Sequence, residues 1–180
     1  EIRIATYVAT NTSINAVDEL GEILKEEFGA FQMHRTKCTA LVNSLLGPYF
    51  RQQLLDDVGT SPYSLLADES TDISVHKLLC ICIKYYSRTS KKLVSTYLGM
   101  VELLQASAHN IAQAIIEFID ASGLKTENLV GIATDGASVM CGKNHSVFTI
   151  LKERQPSLQL VHCVCHSLDI VAYKAMKSLP

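Results

Sequence analysis

Two aspartates stand where an open α/β sheet places its functional groups. Asp135 follows the apolar run LVGIAT (129–134) and opens the turn-forming tetrapeptide Asp135-Gly136-Ala137-Ser138. Asp68 ends a second short apolar run within YSLLADESTD (63–72), with Glu69 beside it and Asp72 four residues on. A carboxylate held at the carboxyl end of a buried strand lies in the crevice where such sheets bind their ligands. Neighbouring strands are ~4.8 Å apart, so Asp68 and Asp135 can share one divalent cation if their strands adjoin. The structural alternative is that Asp68 caps a hairpin and Asp135 closes an Asx-turn. Strand alternation turns Glu69 to the face opposite Asp68, toward solvent, and places Asp72 in the following turn.

The other chemistry-bearing residues carry less. His162, Cys163, Cys165 and His166 are zinc-ligand types, but they lack the two-pair spacing of structural zinc sites. A strand running through residue 165 puts Cys163 and Cys165 on one face and His162 on the other, which argues against four-ligand binding. Cys163 is then expected to pack as a small hydrophobe, with His166 at the start of the next helix. Cys80 and Cys82 share a strand face, which predicts core packing. His76, His109 and His145 fall near element starts or turns and read as solvent or capping residues. Lys84, Arg88, Lys91 and Lys92 form the only basic cluster, around a hairpin tip, where they either touch phosphate or are solvated.

Positioning these groups requires a folded domain, and the composition supplies one. Of 180 residues, 48% are hydrophobic and 19% charged, which argues for a globular protein and against disorder. No apolar run approaches the ~20 residues of a membrane span, and the amino terminus shows no signal-peptide pattern, so a soluble intracellular protein is expected. The net charge of −2 provides no general basic field, and any nucleic-acid contact must use a local patch or another domain. The six scattered cysteines predict reduced thiols.

The chain divides at Gly59-Thr60-Ser61-Pro62 into a helical segment, 1–60, and a core, 61–180. Residues 1–11 show alternation that fits a short strand or an ordered leader. Helices are predicted from Thr12 or Ser13 to Gly29, over 36–46 with a break at Gly47-Pro48, and from Pro48 to about 58. The core reads as strands at 63–69, 77–86 and 93–102 in an antiparallel meander. A helix at 109–122, a strand at 128–134, a helix at 144–154, a strand at 158–164 and a helix at 167–177 follow. Right-handed strand–helix–strand connections then give an α/β fold with a mixed five-stranded sheet flanked by helices. That order is ribonuclease H-like, with the first and fourth strands adjacent and parallel.

Three motifs in this order resemble the catalytic domain of hAT-superfamily DNA transposases: DESTDIS at 68–74, TDGASVM at 134–140 and HCVCHSLDI at 162–170. The likeness is strongest to the transposon-derived, zinc-finger-associated branch and covers about residues 60–175. It implies that Asp68 and Asp135 are catalytic metal ligands for Mg²⁺ or Mn²⁺, and that Cys163 and His166 are the family's Cys-x-x-His motif. His166 would orient the acidic site or approach DNA. The implied ancestral activity is metal-dependent DNA cleavage and strand transfer by water and 3′-hydroxyl nucleophiles. The family's third carboxylate follows a large helical insertion and is expected beyond Pro180, with the insertion and carboxy-terminal part, so these residues alone are expected to be inactive. Ser70-Thr71 stand where related transposases carry Trp, and Asp169 where Asn is common. The full-length protein is expected in the nucleus, with DNA as partner and homo-oligomerisation through regions outside this chain. No membrane or small-molecule substrate is implied. The alternative is a domesticated, non-enzymatic DNA- or protein-binding module that keeps the fold for contacts such as dimerisation.

Overall fold

The computed structural model describes residues 1–29, 31–71 and 77–177. They fall into two compact units, Glu1–Leu54 and Leu55–Pro180. Residues 1–11 form a helix, α1 (Ile2–Asn11), not a strand. Its β-branched residues mimic strand alternation, but Ala5 and Val8 are buried one turn apart. The hydroxyls of Thr6 and Thr10 donate to the carbonyls of Ile2 and Thr6 four residues back, so these polar groups are satisfied within the helix. Helix α2 (Ala16–Phe28) starts after Asn15, later than Thr12 or Ser13, and ends at Gly29 with φ 63°. Helix α3 (Arg35–Leu41) begins beside Asp18 of α2, whose carboxylate accepts the Arg35 N–H at 2.8 Å. No break follows at Gly47-Pro48. A single π turn, Val42–Leu46, joins α3 to α4 (Gly47–Val58), with Pro48 in the first turn of α4. Proline offers no N–H to the helix ladder, and the wider turn accommodates that loss. The core of this unit is Ala5, Val8, Val17, Met33, Cys38 and Leu46.

The second unit contains β1 (Tyr63–Thr71), β2 (Lys77–Ser87) and β3 (Lys92–Leu103), followed by α5 (Ala108–Ser122) and β4 (Leu129–Thr134). Short α6 (Ser138–Cys141), α7 (Val147–Arg154), β5 (Gln159–His162) and α8 (Val164–Lys177) complete it. The sheet order is β3-β2-β1-β4-β5. β1 is antiparallel to β2 and parallel to β4, β2 is antiparallel to β3, and β4 is parallel to β5. This is the α/β, ribonuclease H-like order expected from the sequence. No helix among the described residues is long and apolar enough to cross a membrane.

One face of the sheet carries the core. Tyr63, Leu65 and Ala67 of β1 alternate inward with Leu79, Ile81, Ile83 and Tyr85 of β2. Ile111, Ile115 and Ile119, at helical spacing on α5, are fully buried. Ser107 caps α5, accepting the Asn110 N–H, and Gly123 ends it at φ 74°. Each such isoleucine contributes roughly 1.5–3 kcal/mol by burial. Gly99 of β3 lets α5 approach closely, since a methyl group there would run into the Phe118 ring. Helix α7 packs against α5 and is shorter than predicted, because Ser146 and Thr149 form a capping box that fixes its start.

The other face is open. Tyr97, Cys82, Leu66, Ala133 and Val161, one from each strand, lie in register as a row across it. All five are exposed or half-buried. A bulge opposite Ile81 and Cys82 makes Leu98 the extra residue of β3, so Tyr97 and Met100, three apart, both face this side. Helix α8 buries none of its residues.

Candidate functional site

Register brings the two aspartates to one level. The β1–β4 ladder pairs Leu65 with Ile132 and Leu66 with Ala133. Carried two residues further, it sets Asp68 opposite Asp135. Leu65, Ala67, Ile132 and Thr134 are buried on the core side, so alternation turns Asp68 to the open face, and Asp135 follows Thr134 at the carboxyl end of the adjacent parallel strand. Asp68 is exposed and pairs across β2 with Cys80; Asp135 is half-buried.

Local hydrogen bonds hold Asp135. Its Oδ1 accepts the Ala137 N–H at 3.1 Å, the Asx-turn that the tetrapeptide predicts. The Thr134 hydroxyl donates to the Asp135 carbonyl at 2.9 Å. Burial pushes the Cys141 thiol up, and the negative charge of Asp135 pushes it further, which puts that thiol within the field of the carboxylate. Glu69 faces away from Asp68, as alternation requires, but is only partly exposed and pairs with Lys77 at 3.6 Å. Asp72 and His76 lie outside the described residues.

The Cys-x-x-His segment sits beside this site in a different form from the one predicted. β5 ends at His162 because β4, its partner, ends at Thr134. The Cys163 N–H closes the ladder on the Thr134 carbonyl at 2.9 Å. The helix then starts at Val164, and the Cys163 carbonyl accepts from the Ser167 N–H and hydroxyl. Strand geometry therefore does not continue through 165. Cys163 and Cys165 are exposed, so Cys163 is not a packed hydrophobe, and His166 lies in the first turn of α8. Cys80 and Cys82 also depart from expectation: they stand half-buried on the open face, outside the core.

Among the described residues no group of three or more His, Cys, Asp or Glu side chains could hold a metal ion. Asp68 and Asp135 stand at adjacent strand ends, and carboxylate oxygens are the donors that a hard cation such as Mg²⁺ or Mn²⁺ takes. His109 and His145 line a different feature, a cleft of about 400 Å³ between α5 and α7 shared with Gln113, Ile116, Ile150, Glu153 and Arg154.

A cluster that sequence reasoning missed rigidifies the β2–β3 hairpin. Asp57, at the end of α4, accepts from the Thr89 hydroxyl at 2.7 Å, the Thr89 N–H at 3.1 Å and the Tyr85 hydroxyl at 2.9 Å. These bonds, with one from Ser87 as the strongest influence, hold its carboxyl well below the usual range. Burial, then the Asp57 carboxylate, push the Tyr85 hydroxyl up to about 12. A signal was available: an acidic residue at a helix carboxy-terminus opposes the helix dipole and implies a partner elsewhere.

The model of a family described as ZMYM1/FAM200, RNase-like domain matches residues 17–145, a span that includes both aspartates. Among solved structures, the chain is similar to Ciona intestinalis endonuclease V in complex with a 24mer DNA containing an inosine followed by a ribo-adenosine. The identity is 16% and the TM-score 0.36, over 65% of this chain and 55% of that one. It is also similar to endonuclease V from Bacillus subtilis, at 17% identity and TM-score 0.31, over 59% of this chain and 49% of that one. The chain thus spans about half the length of these nucleases.

Proposed function

We propose, because the chain belongs to the ZMYM1/FAM200, RNase-like domain family, that it is the amino-terminal part of a transposase-derived catalytic core of the hAT type, carried by a nuclear, zinc-finger-associated protein that acts on DNA. The observation that supports this reading is the parallel β1–β4 pairing, whose register, continued past Leu66 and Ala133, sets Asp68 level with Asp135. These two carboxylates would hold Mg²⁺ or Mn²⁺. Such a cation, when bound, supplies charge stabilisation to a phosphoryl group undergoing displacement. The chain's own contribution is positional: the Asx-turn orients Asp135, β1 presents Asp68, and the Cys163 N–H ties the end of β5 to the strand that carries Asp135. His166, in the first turn of α8, would orient this site or meet DNA.

Two carboxylates fix one cation loosely and leave a second metal position undefined, so the 180-residue chain should bind Mn²⁺ weakly and should not nick DNA. Mn²⁺ titrated into isotope-labelled protein should broaden the amide resonances around Asp68 and Asp135 first, and Asp135→Asn should remove that effect. Broadening centred elsewhere would overturn the metal assignment. Metal-dependent nicking by this chain, abolished by Asp68→Asn and by Asp135→Asn, would show instead that a complete active site lies within these residues.

A further inference from the structure

We infer that the open face of the β2–β3 hairpin is a platform for single-stranded nucleic acid, with Tyr86 and Tyr97 stacking on bases and Lys84, Arg88 and Lys91 holding phosphates. The pairing fixes which side chains share this surface. Tyr86 opposes Leu93, Lys84 opposes Ser95, Cys82 opposes Tyr97 and Cys80 opposes Met100, all on the face away from the core. Tyr86 and Tyr97 are 52% and 57% exposed, far more than aromatic rings placed for packing. Arg88 and Lys91 stand at the tip, Lys84 lies between the two tyrosines, and all three are exposed, whereas Lys92 opposes the buried Ser87 and lies off this face. None of the three forms an ion pair among the described residues.

Two further features suit the assignment. The tip is preorganised, because Asp57 grips Thr89 and Tyr85 from the opposite side of the hairpin and so spends its charge away from the open face. Charge also changes sign along the track. Acidic side chains on this face lie at the far end, Asp68 level with Cys80 and Met100, and Glu102 opposite Leu78. From Tyr86 to the level of Cys80 is six residues of β2, ~20 Å at strand rise. That is on the order of the shortest single-strand sites, about four nucleotides. A strand whose phosphates engage the tip would thus run toward Asp68. A flat sheet bearing exposed rings reads unpaired bases, whereas a duplex hides them. Because the net charge is −2, attraction rests on the local cations, and log K should fall with log salt at about −0.7 per phosphate held, roughly −2 for all three.

The platform shares its polymer with the function proposed above, and its test runs in EDTA, so a failure of the metal site leaves the result intact. Fluorescence anisotropy would follow the 180-residue chain binding labelled oligothymidylate and oligouridylate of about 15 nucleotides, with a blunt duplex as competitor. Tyr86→Ala and Tyr97→Ala should each weaken binding roughly 5- to 150-fold, while Tyr86→Phe retains affinity. Replacing Lys84, Arg88 and Lys91 together by Gln should flatten the salt slope by about 2. These positions are exposed, and circular dichroism would verify that each variant folds. Tighter binding of one oligonucleotide names the polymer and supports the platform in either case. Tyrosine variants that bind as the parent does, a duplex that competes as well as the single strand, or no saturable binding would each overturn it.

Discussion

Replacing Asp135 by Asn should stabilise the sheet unit slightly in EDTA and abolish the stabilisation it gains from Mn²⁺. The β1–β4 register, continued past Leu66 and Ala133, sets Asp68 level with Asp135, and adjacent strands stand about 5 Å apart. At that separation the repulsion is ~0.8 kcal/mol in bulk water and ~3 kcal/mol at an effective dielectric of about 20. Asp68 is exposed, which selects the lower end, about 1 kcal/mol. Asn keeps the oxygen that accepts the Ala137 N–H, so the turn survives, whereas Asp135→Ala loses charge and turn together. A cation at ten times its dissociation constant adds about 1.4 kcal/mol to the parent protein, or roughly 3–6 °C in unfolding temperature. Thermal unfolding followed by circular dichroism, in EDTA and across a Mn²⁺ titration, measures both effects. A loss of more than about 1 kcal/mol for Asp135→Asn in EDTA, or equal Mn²⁺ stabilisation of parent and variant, would refute the shared-cation reasoning.

Two further perturbations probe the scaffold. Gly99→Ala should cost about 1–3 kcal/mol, because the new methyl displaces the Phe118 ring, and Phe118→Leu should relieve part of that loss. Chemical denaturation of the two single variants and the double variant should give a coupling of at least about 0.5 kcal/mol, and strict additivity would refute the contact. The Asp57 carboxyl titrates lower in the folded chain than its ordinary 3.8, so its contribution is whole above that value and is lost as the pH falls below it. Asp57→Asn should therefore flatten the acid limb of stability against pH, measured by urea midpoints. An unchanged acid limb would mean that Asp57 does not hold the hairpin.

The sheet order was legible because its signals are long and repeated. Leu79, Ile81, Ile83 and Tyr85 alternate through β2, Ile111, Ile115 and Ile119 recur along α5, and Gly123 marks its end. Connection handedness then left little freedom in placing β4 beside β1. What escaped depends on partners distant in sequence. The near-continuous apolar run of β2 does not tell which face is covered, so Cys80 and Cys82 read as core although they face the open side. The run from Val161 to Val164 reads as strand, yet β5 stops at His162 because its neighbour β4 stops at Thr134, a length set by another segment. Asp57 meets Thr89 across 32 residues with no local pattern to announce it. At the candidate site the two readings of Asp135, turn-former and metal ligand, looked like rivals in the sequence. The geometry removes the rivalry: Oδ1 takes the Ala137 N–H, which fixes the carboxylate's orientation without using its second oxygen. A ligand oxygen needs such a fixed frame, so the Asx-turn is the local structure by which this strand end could present a carboxylate to a cation.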